Sequence, residues 1–144
     1  MASSPNNIII INGAAGSGKS WVCKQLSPTQ YSYVPFDETR TRDLIDKLKS
    51  CSPDIPVVVD LHNGVSTFAK RQKDEFASIK IVCIVEDEVT IRARMDKRGG
   101  TFTEHTKRRM KRVETLRKRP DCIFSGTAEE VLAFLNGGCK SEEV

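Results

Sequence analysis

Apolar positions along the chain follow two rhythms that alternate from one end to the other. Ile8-Ile9-Ile10-Ile11 is a continuous β-branched run, the pattern of a strand buried on both faces of a parallel sheet, and it predicts a strand over 7–12. Val57-Val58-Val59 predicts another over 56–60, with Asp60 at its carboxyl end. Alternation over 31–36, ending at Asp37, predicts a further strand, and the runs at 79–85 and 121–124 add two more. Between them lie helical spacings. These predict helices over 19–26 (stopped by Ser27-Pro28), 39–50 (Leu44, Ile45 and Leu48 on one face) and 65–77 (Phe68, Ala69 and Phe76 inward). Further helices are predicted over 87–97, 104–118 and 128–135, with a flexible stretch at 99–103.

Strands alternating with helices imply an α/β protein: a three-layer α/β/α arrangement around a mostly parallel five-stranded sheet. The length of 144 residues suits one domain over 1–144, closing in a polar tail at 137–144. In such sheets ligands collect at the carboxyl ends of the strands. The segment 13–20, Asp37 and Asp60 all fall there.

Gly13-Ala14-Ala15-Gly16-Ser17-Gly18-Lys19-Ser20 matches G-x-x-x-x-G-K-[ST] between a buried strand and a helix, the setting the motif requires. The glycines let backbone N–H groups converge on phosphates, and the following helix adds its positive end. The motif implies ATP as ligand, with Lys19 on the β and γ phosphates and the Ser20 hydroxyl on Mg²⁺. No N-K-x-D specificity motif accompanies it, and the chain is short for a motor or GTPase. A small kinase is the natural candidate.

Asp37-Glu38-Thr39-Arg40 reads D-x-x-R after the second strand. Asp37 would accept the proton of an attacking hydroxyl, and Arg40 would hold the acceptor or the transferring phosphate. A capping aspartate followed by an exposed arginine is the plainer reading. Asp60 would order the Mg²⁺ water shell or the acceptor, or be a turn acid. Asn63 follows in the same loop, and His62 reads as a polar loop residue. Arg94 and Arg98 stand four apart on one helix face just before Gly99-Gly100. Arginines at a glycine hinge suit a lid, about 92–118, closing over ATP. A solvated basic helix end is the alternative.

The net charge of +4 hides an asymmetry. Residues 90–119 hold twelve basic and three acidic side chains, a local +9 against −5 elsewhere. Such a stretch suggests a polyanion partner, and DNA is the expected one, contacted through Lys107, Arg108, Arg109, Lys111 and Arg112. The five cysteines are scattered without C-x-x-C spacing, as free thiols in a reducing compartment would be. No run is long and apolar enough for a membrane span and no signal peptide is evident, so a cytoplasmic location is expected.

Four segments together resemble the bacteriophage-type polynucleotide kinases, within the nucleoside-kinase-like P-loop group. They are G-x-x-G-S-G-K-S ending at Ser20, D-x-x-R at 37–40, V-V-V-D-x-x-N at 57–63 and R-x-x-K-R-G at 94–99. The resemblance covers roughly 7–118. It implies a P-loop kinase fold with a basic lid, ATP and Mg²⁺ on Lys19 and Ser20, and Asp37 as general base. It also implies Arg40 beside the reacting phosphate, Asp60 near the acceptor, and Arg94 with Arg98 in the lid. The chain has no room for the phosphatase domain those enzymes often carry. The kinases of 5-hydroxymethyluracil in DNA, also small, look similar.

Three functions are therefore weighed. The first is a kinase of a DNA hydroxyl, either a 5′ end or a base hydroxymethyl group (host cytoplasm, if phage-encoded). The second is a kinase of free nucleosides, nucleotides or another small metabolite, which explains the lid arginines equally well but leaves the second basic cluster aside. The third is a non-catalytic or ATPase-type DNA-binding module, against which Asp37 speaks.

Overall fold

The computed structural model describes residues 4–35, 41–61 and 64–137. Its strands are β1 (Ser4–Asn12), β2 (Ser32–Val34), β3 (Val57–Asp60), β4 (Phe76–Ile84) and β5 (Cys122–Gly126). Its helices are α1 (Lys19–Lys24), α2 (Thr41–Ser50), α3 (Val65–Gln72), α4 (Glu88–Lys97), α5 (Glu104–Leu116) and α6 (Ala128–Leu135). The five strands form one sheet in the order β2-β3-β1-β4-β5, and every pairing is parallel. β1 runs down the middle with Ile11 beside Asp60 of β3 and Val82 of β4. Chain order reverses across β1, so the crevice above its carboxyl end is the topological switch point of the sheet.

Continuous apolar runs are needed because each strand feeds two cores. Ile8, Ile10, Val57, Val59 and Ile81 face Leu44, Leu48, Phe68, Val113 and Leu116 of α2, α3 and α5. Ile11, Val58, Val82 and Ile84 face Val22, Leu26, Val131 and Leu135, on the side covered by α1 and α6. Each such side chain, taken fully out of water, contributes roughly 1.5–3 kcal/mol. Ala14, Ile91 and Met95 make a third, small cluster that seats the glycine loop on α4.

The boundary between α3 and β4 differs most from the sequence reading. The helix predicted over 65–77 ends at Gln72, and Phe76 opens β4. Phe76 still points into the core, but from a strand in register with Ser4, because β1 extends further toward the N-terminus than its isoleucine run. A tight turn with the Glu75 N–H on the Gln72 carbonyl (2.9 Å) makes the change of direction.

Gly99 and Gly100, where the sequence suggests a hinge, form the turn that caps α4. Gly99 takes φ 79°, and the Gly100 N–H reaches back to the Met95 carbonyl at 2.8 Å. Phe102 then packs on the Ala14–Ile91–Met95 cluster beneath the Arg92 guanidinium, 4.1 Å from its ring centre. Segment 99–103 is thereby tied to α4 at both ends. Thr103 begins α5 with a reciprocal cap to Thr106.

Candidate active site

The turn from β1 into α1 builds the site. Gly16 (φ 81°) and Gly18 (φ 103°) adopt left-handed backbone that other residues reach only with strain. At two points the loop is also too tight for a side chain. A Cβ on Gly13 would stand 2.5 Å from Ser17 Oγ, and one on Gly18 would stand 2.9 Å from the Ala128 Cβ. Gly18 caps α1 without any side chain, so the first N–H groups of that helix face outward uncapped. Inside the loop, Ser17 Oγ is buried with no hydrogen-bond partner. Lys19 is 6 % exposed, and its Nζ donates to the Gly13 carbonyl at 2.6 Å. Burial, and then the positive charge of Arg109, push the Lys19 ammonium down to about 8, against the opposing pull of Asp60.

Asp60 ends β3 next to this lysine and is buried. The Tyr33 hydroxyl hydrogen-bonds to it and to Cys23. Burial raises the Tyr33 hydroxyl, with Cys23 and Asp60 adding to the effect, and burial pushes the Cys23 thiol up to about 12. Both groups therefore stay protonated, so the Tyr33 hydroxyl can donate to the carboxylate while the Cys23 thiol donates to Tyr33. Asn12 Nδ2 donates to the Leu61 carbonyl at 2.7 Å, which fixes the ends of β1 and β3 together.

On one side of the loop is a cleft of about 540 Å³, walled by Lys19, Ser20 and Trp21, by Arg94 and Arg98 of α4, and by the start of α6. Its far wall is held by Glu86, just beyond β4. This carboxylate accepts Arg94 Nη2 at 3.3 Å and the Ala128 N–H at 3.0 Å. Arg94 Nη1 meanwhile donates to the Ser17 carbonyl at 2.8 Å and the Gly16 carbonyl at 3.3 Å. Arg94 thus braces the outside of the loop, while Arg98 lies exposed along the cleft.

A second cavity, about 310 Å³, opens on the other side, at Asn12 and Gly13. α3 contributes Ser66 and Thr67 from its first turn, and α5 contributes Arg109 and Arg112. The basic helix is therefore shared out. Lys107 and Lys111 line a different cleft together with Glu86, Glu88 and Glu114. Arg117 pairs with Glu114, and Arg119 with Asp121. Arg108 is exposed.

Of the residues singled out from the sequence, the structure brings together the loop 13–20, Lys19, Ser20, Asp60, Arg94 and Arg98. Asp37, Arg40 and Asn63 lie outside the described residues, as does His62. Sequence reasoning passed over Glu86, Trp21 and Tyr33, and it gave Arg109 to DNA alone. Glu86 carried the same signal as Asp60, an acid just past a buried strand. Trp21 is the single tryptophan and directly follows the loop.

The loop fits a nucleotide triphosphate tail. It offers a buried hydroxyl with no hydrogen-bond partner among the described residues, a buried lysine whose ammonium donates to a loop carbonyl it would exchange for phosphate, and a cradle that a Cβ would fill. The 540 Å³ cleft has the size of a nucleotide-sized pocket. Among the described residues, the Ser20 hydroxyl and, through water, Asp60 are the oxygen groups that would hold Mg²⁺, whose other ligands would be water and phosphate.

Fold and loop together define an α/β protein with the architecture of the P-loop kinases. The fold is similar to that of a gluconokinase from Sinorhizobium meliloti 1021 (TM-score 0.63, 18% identity, covering 98% of this chain and 97% of that one). It is also similar to a sugar kinase from Janibacter sp. HTCC2649 (TM-score 0.61, 12% identity, 94% and 95% covered). An uncharacterized protein from Eubacterium ventriosum ATCC 27560 follows at a TM-score of 0.50 and 16% identity, with 94% and 99% covered. At these identities the likeness is one of fold. No protein-family model matches the chain, and no curated protein matches it in sequence. Among the described residues, no helix is long and apolar enough to cross a membrane.

Proposed function

We propose that this protein is an ATP-dependent kinase that phosphorylates a hydroxyl of a small acceptor molecule. The observation that carries this reading is the pair of cavities flanking one lysine. The larger includes Lys19 itself, and the smaller includes Gly13, whose carbonyl holds the Lys19 ammonium. A nucleotide sensor needs one such space, whereas a transferase needs one on each side of the phosphoryl group in flight.

Bound ATP with Mg²⁺ would supply an activated phosphoryl group. The rest falls to the chain. The loop N–H groups and Ser17 Oγ bind the phosphates, and Lys19 leaves Gly13 to neutralise their charge. Ser20 and, through water, Asp60 would hold the metal, with Tyr33 orienting Asp60. Arg94 keeps the loop in shape, and Arg98 offers its charge from the cleft wall. Asp37 is assigned the proton of the acceptor hydroxyl as that oxygen bonds to the γ-phosphorus and the bond to the bridging oxygen breaks to release ADP, and Arg40 the acceptor side of the phosphate.

The small-acceptor reading is favoured over DNA because two proteins sharing the fold over nearly their whole length bear the names gluconokinase and sugar kinase. The pairing of Arg117 with Glu114 and of Arg119 with Asp121 points the same way. A second reading, phosphorylation of a 5′ end or a 5-hydroxymethyl base in DNA as in the phage-type kinases, rests on the motif set and on the exposed Arg108 and Arg112.

Transfer of labelled γ-phosphate from ATP should be followed into four acceptors. These are gluconate with other sugar acids and sugars, free nucleosides with nucleotides, a 5′-hydroxyl oligonucleotide, and a 5′-blocked duplex carrying 5-hydroxymethyluracil. Label in the first or second is expected. Label only in DNA would establish the second reading, and label in water alone would end both.

A further inference from the structure

The phosphate loop accounts for a chain of phosphates and is silent about what that chain is attached to. Two residues outside the motif address the rest of the ligand, and both border the 540 Å³ cleft. Trp21 directly follows Ser20, on the first turn of α1, and is 46 % exposed. Val89 and Ile123, the other large apolar side chains exposed among the described residues, do not border this cleft. An indole left half in water on a cavity wall offers a flat face for a second ring to cover. Lys19 and Ser20 line the same cleft at its phosphate end, so a ligand held by the loop continues along the wall where Trp21 stands.

Glu129 borders the cleft from the first turn of α6, in a space also lined by Lys19, Arg94, Lys97 and Arg98. The cations suit a triphosphate. The carboxylate opposes one, because like charges repel strongly where water is partly excluded. Glu129 becomes favourable only against a part of the ligand that donates hydrogen bonds. In a nucleoside triphosphate that part is the nucleoside, through its ribose hydroxyls or the amino group of its base.

From these two residues, and resting on the kinase reading above, we infer that the cleft is a nucleoside site: the base stacks on Trp21, and Glu129 accepts a hydrogen bond from the nucleoside. The same carboxylate turns away bare polyphosphate, which brings charge and no donor. Glu129 thus selects a nucleotide as phosphoryl donor by an attraction and a repulsion acting together. Trp21 and Glu129 set specificity and take no part in the transfer itself.

The test compares, by calorimetry, the Mg²⁺ complexes of inorganic tripolyphosphate and of the β,γ-imido analogue of ATP. The readout is the ratio of the two dissociation constants, in which a general effect on the loop cancels. The wild type should favour the nucleotide about a hundredfold or more. Trp21→Leu, which keeps apolar bulk without the ring face, should shrink the ratio about tenfold. Glu129→Ala should shrink it by about the same factor, in part by tightening tripolyphosphate. Should Trp21→Leu fail to fold, quenching of the wild-type Trp21 fluorescence by the nucleotide and not by tripolyphosphate decides the stacking.

Two further imido triphosphates identify the hydrogen-bond donor: purine riboside, without the 6-amino group, and 2′,3′-dideoxyadenosine, without the ribose hydroxyls. Removing the group that Glu129 holds should cost about fivefold or more in the wild type and nothing in Glu129→Ala. An unchanged ratio in either variant, or both analogues binding as the ATP analogue does, overturns the inference. If neither tripolyphosphate nor nucleotide binds, the loop is idle and the kinase reading falls with the inference. Tight, Trp21-dependent binding without transfer to any acceptor would end the kinase reading and leave the nucleoside site standing.

Discussion

The Lys19 ammonium sits 2.6 Å from the carbonyl oxygen of Gly13, so the loop's own backbone occupies the charge intended for a ligand. This is a self-satisfied but costly resting state. A cation almost wholly out of water, with Arg109 repelling it, is held by one neutral oxygen and the field of Asp60. Lys19→Met should therefore stabilise the ligand-free protein, by at most about 3 kcal/mol from the lowered ammonium. The same substitution should weaken ATP binding about a hundredfold or more, the scale of a lost buried charge pair. Scanning calorimetry and Trp21 titration check the two halves separately; a lower melting temperature would show that the lysine is structural.

The direction of the Lys19 shift fixes a pH dependence. Its ammonium lies near 8 in the folded chain and at the ordinary 10.5 when unfolded, so between these values the unfolded state binds more protons. Stability should consequently rise with pH across that window, as far as this group is concerned. Phosphates favour the charged form, so ATP binding should weaken above pH 8 and take up a proton. Calorimetry at pH 8.5 in two buffers of different ionisation enthalpy measures the uptake, and identical heats would contradict it.

Glu86 is the joint between α4, α6 and the loop. Replacing it with Gln keeps its size but removes the charge that meets Arg94 and the Ala128 N–H. The expected cost is about 1–3 kcal/mol of stability. Because Arg94 also carries the Gly16 and Ser17 carbonyls, KM for ATP should rise several-fold while kcat stays close to normal. A fall in kcat with KM unchanged would place Glu86 in the chemistry instead.

Two glycines separate backbone strain from crowding. Gly18 and Gly64 both have positive φ, 103° and 69°, but only at Gly18 would a Cβ collide, 2.9 Å from that of Ala128. Gly64→Ala should cost about 1 kcal/mol from conformation alone. Gly18→Ala should cost clearly more and abolish ATP binding, because α6 would be pushed off the cleft. Equal losses in urea unfolding would mean that the close approach is slack.

Asp37→Asn tests the assigned base. The variant should bind ATP as the wild type does, while kcat drops by about a hundredfold or more, within the usual range for a general base. Undiminished transfer would show that the proton is taken by another group and that Asp37 has no such role.

What the chain reveals by itself follows the range of the forces involved. The sheet strands and the loop were readable because isoleucine runs and the G-x-x-x-x-G-K-S spacing are local. Phe76 was misassigned because an apolar residue after a helix satisfies either period. Only the pairing of its strand with Ser4, a partner far away in sequence, decides for β4. Glu86 gains its role where three elements meet, a convergence no window of sequence contains. Arg109 and Lys107 are equal as charges in a list, and the rotation of α5 about its axis sends one to the cavity beside Gly13 and the other to a cleft with acids.

The close approach of Gly18 to Ala128 also ties the phosphate loop to a segment far along the chain. A fragment that stopped before α6 would carry the complete motif without the surface against which it is shaped. The site is thus a property of the chain from β1 through α6, and copying the eight motif residues alone would not reproduce it.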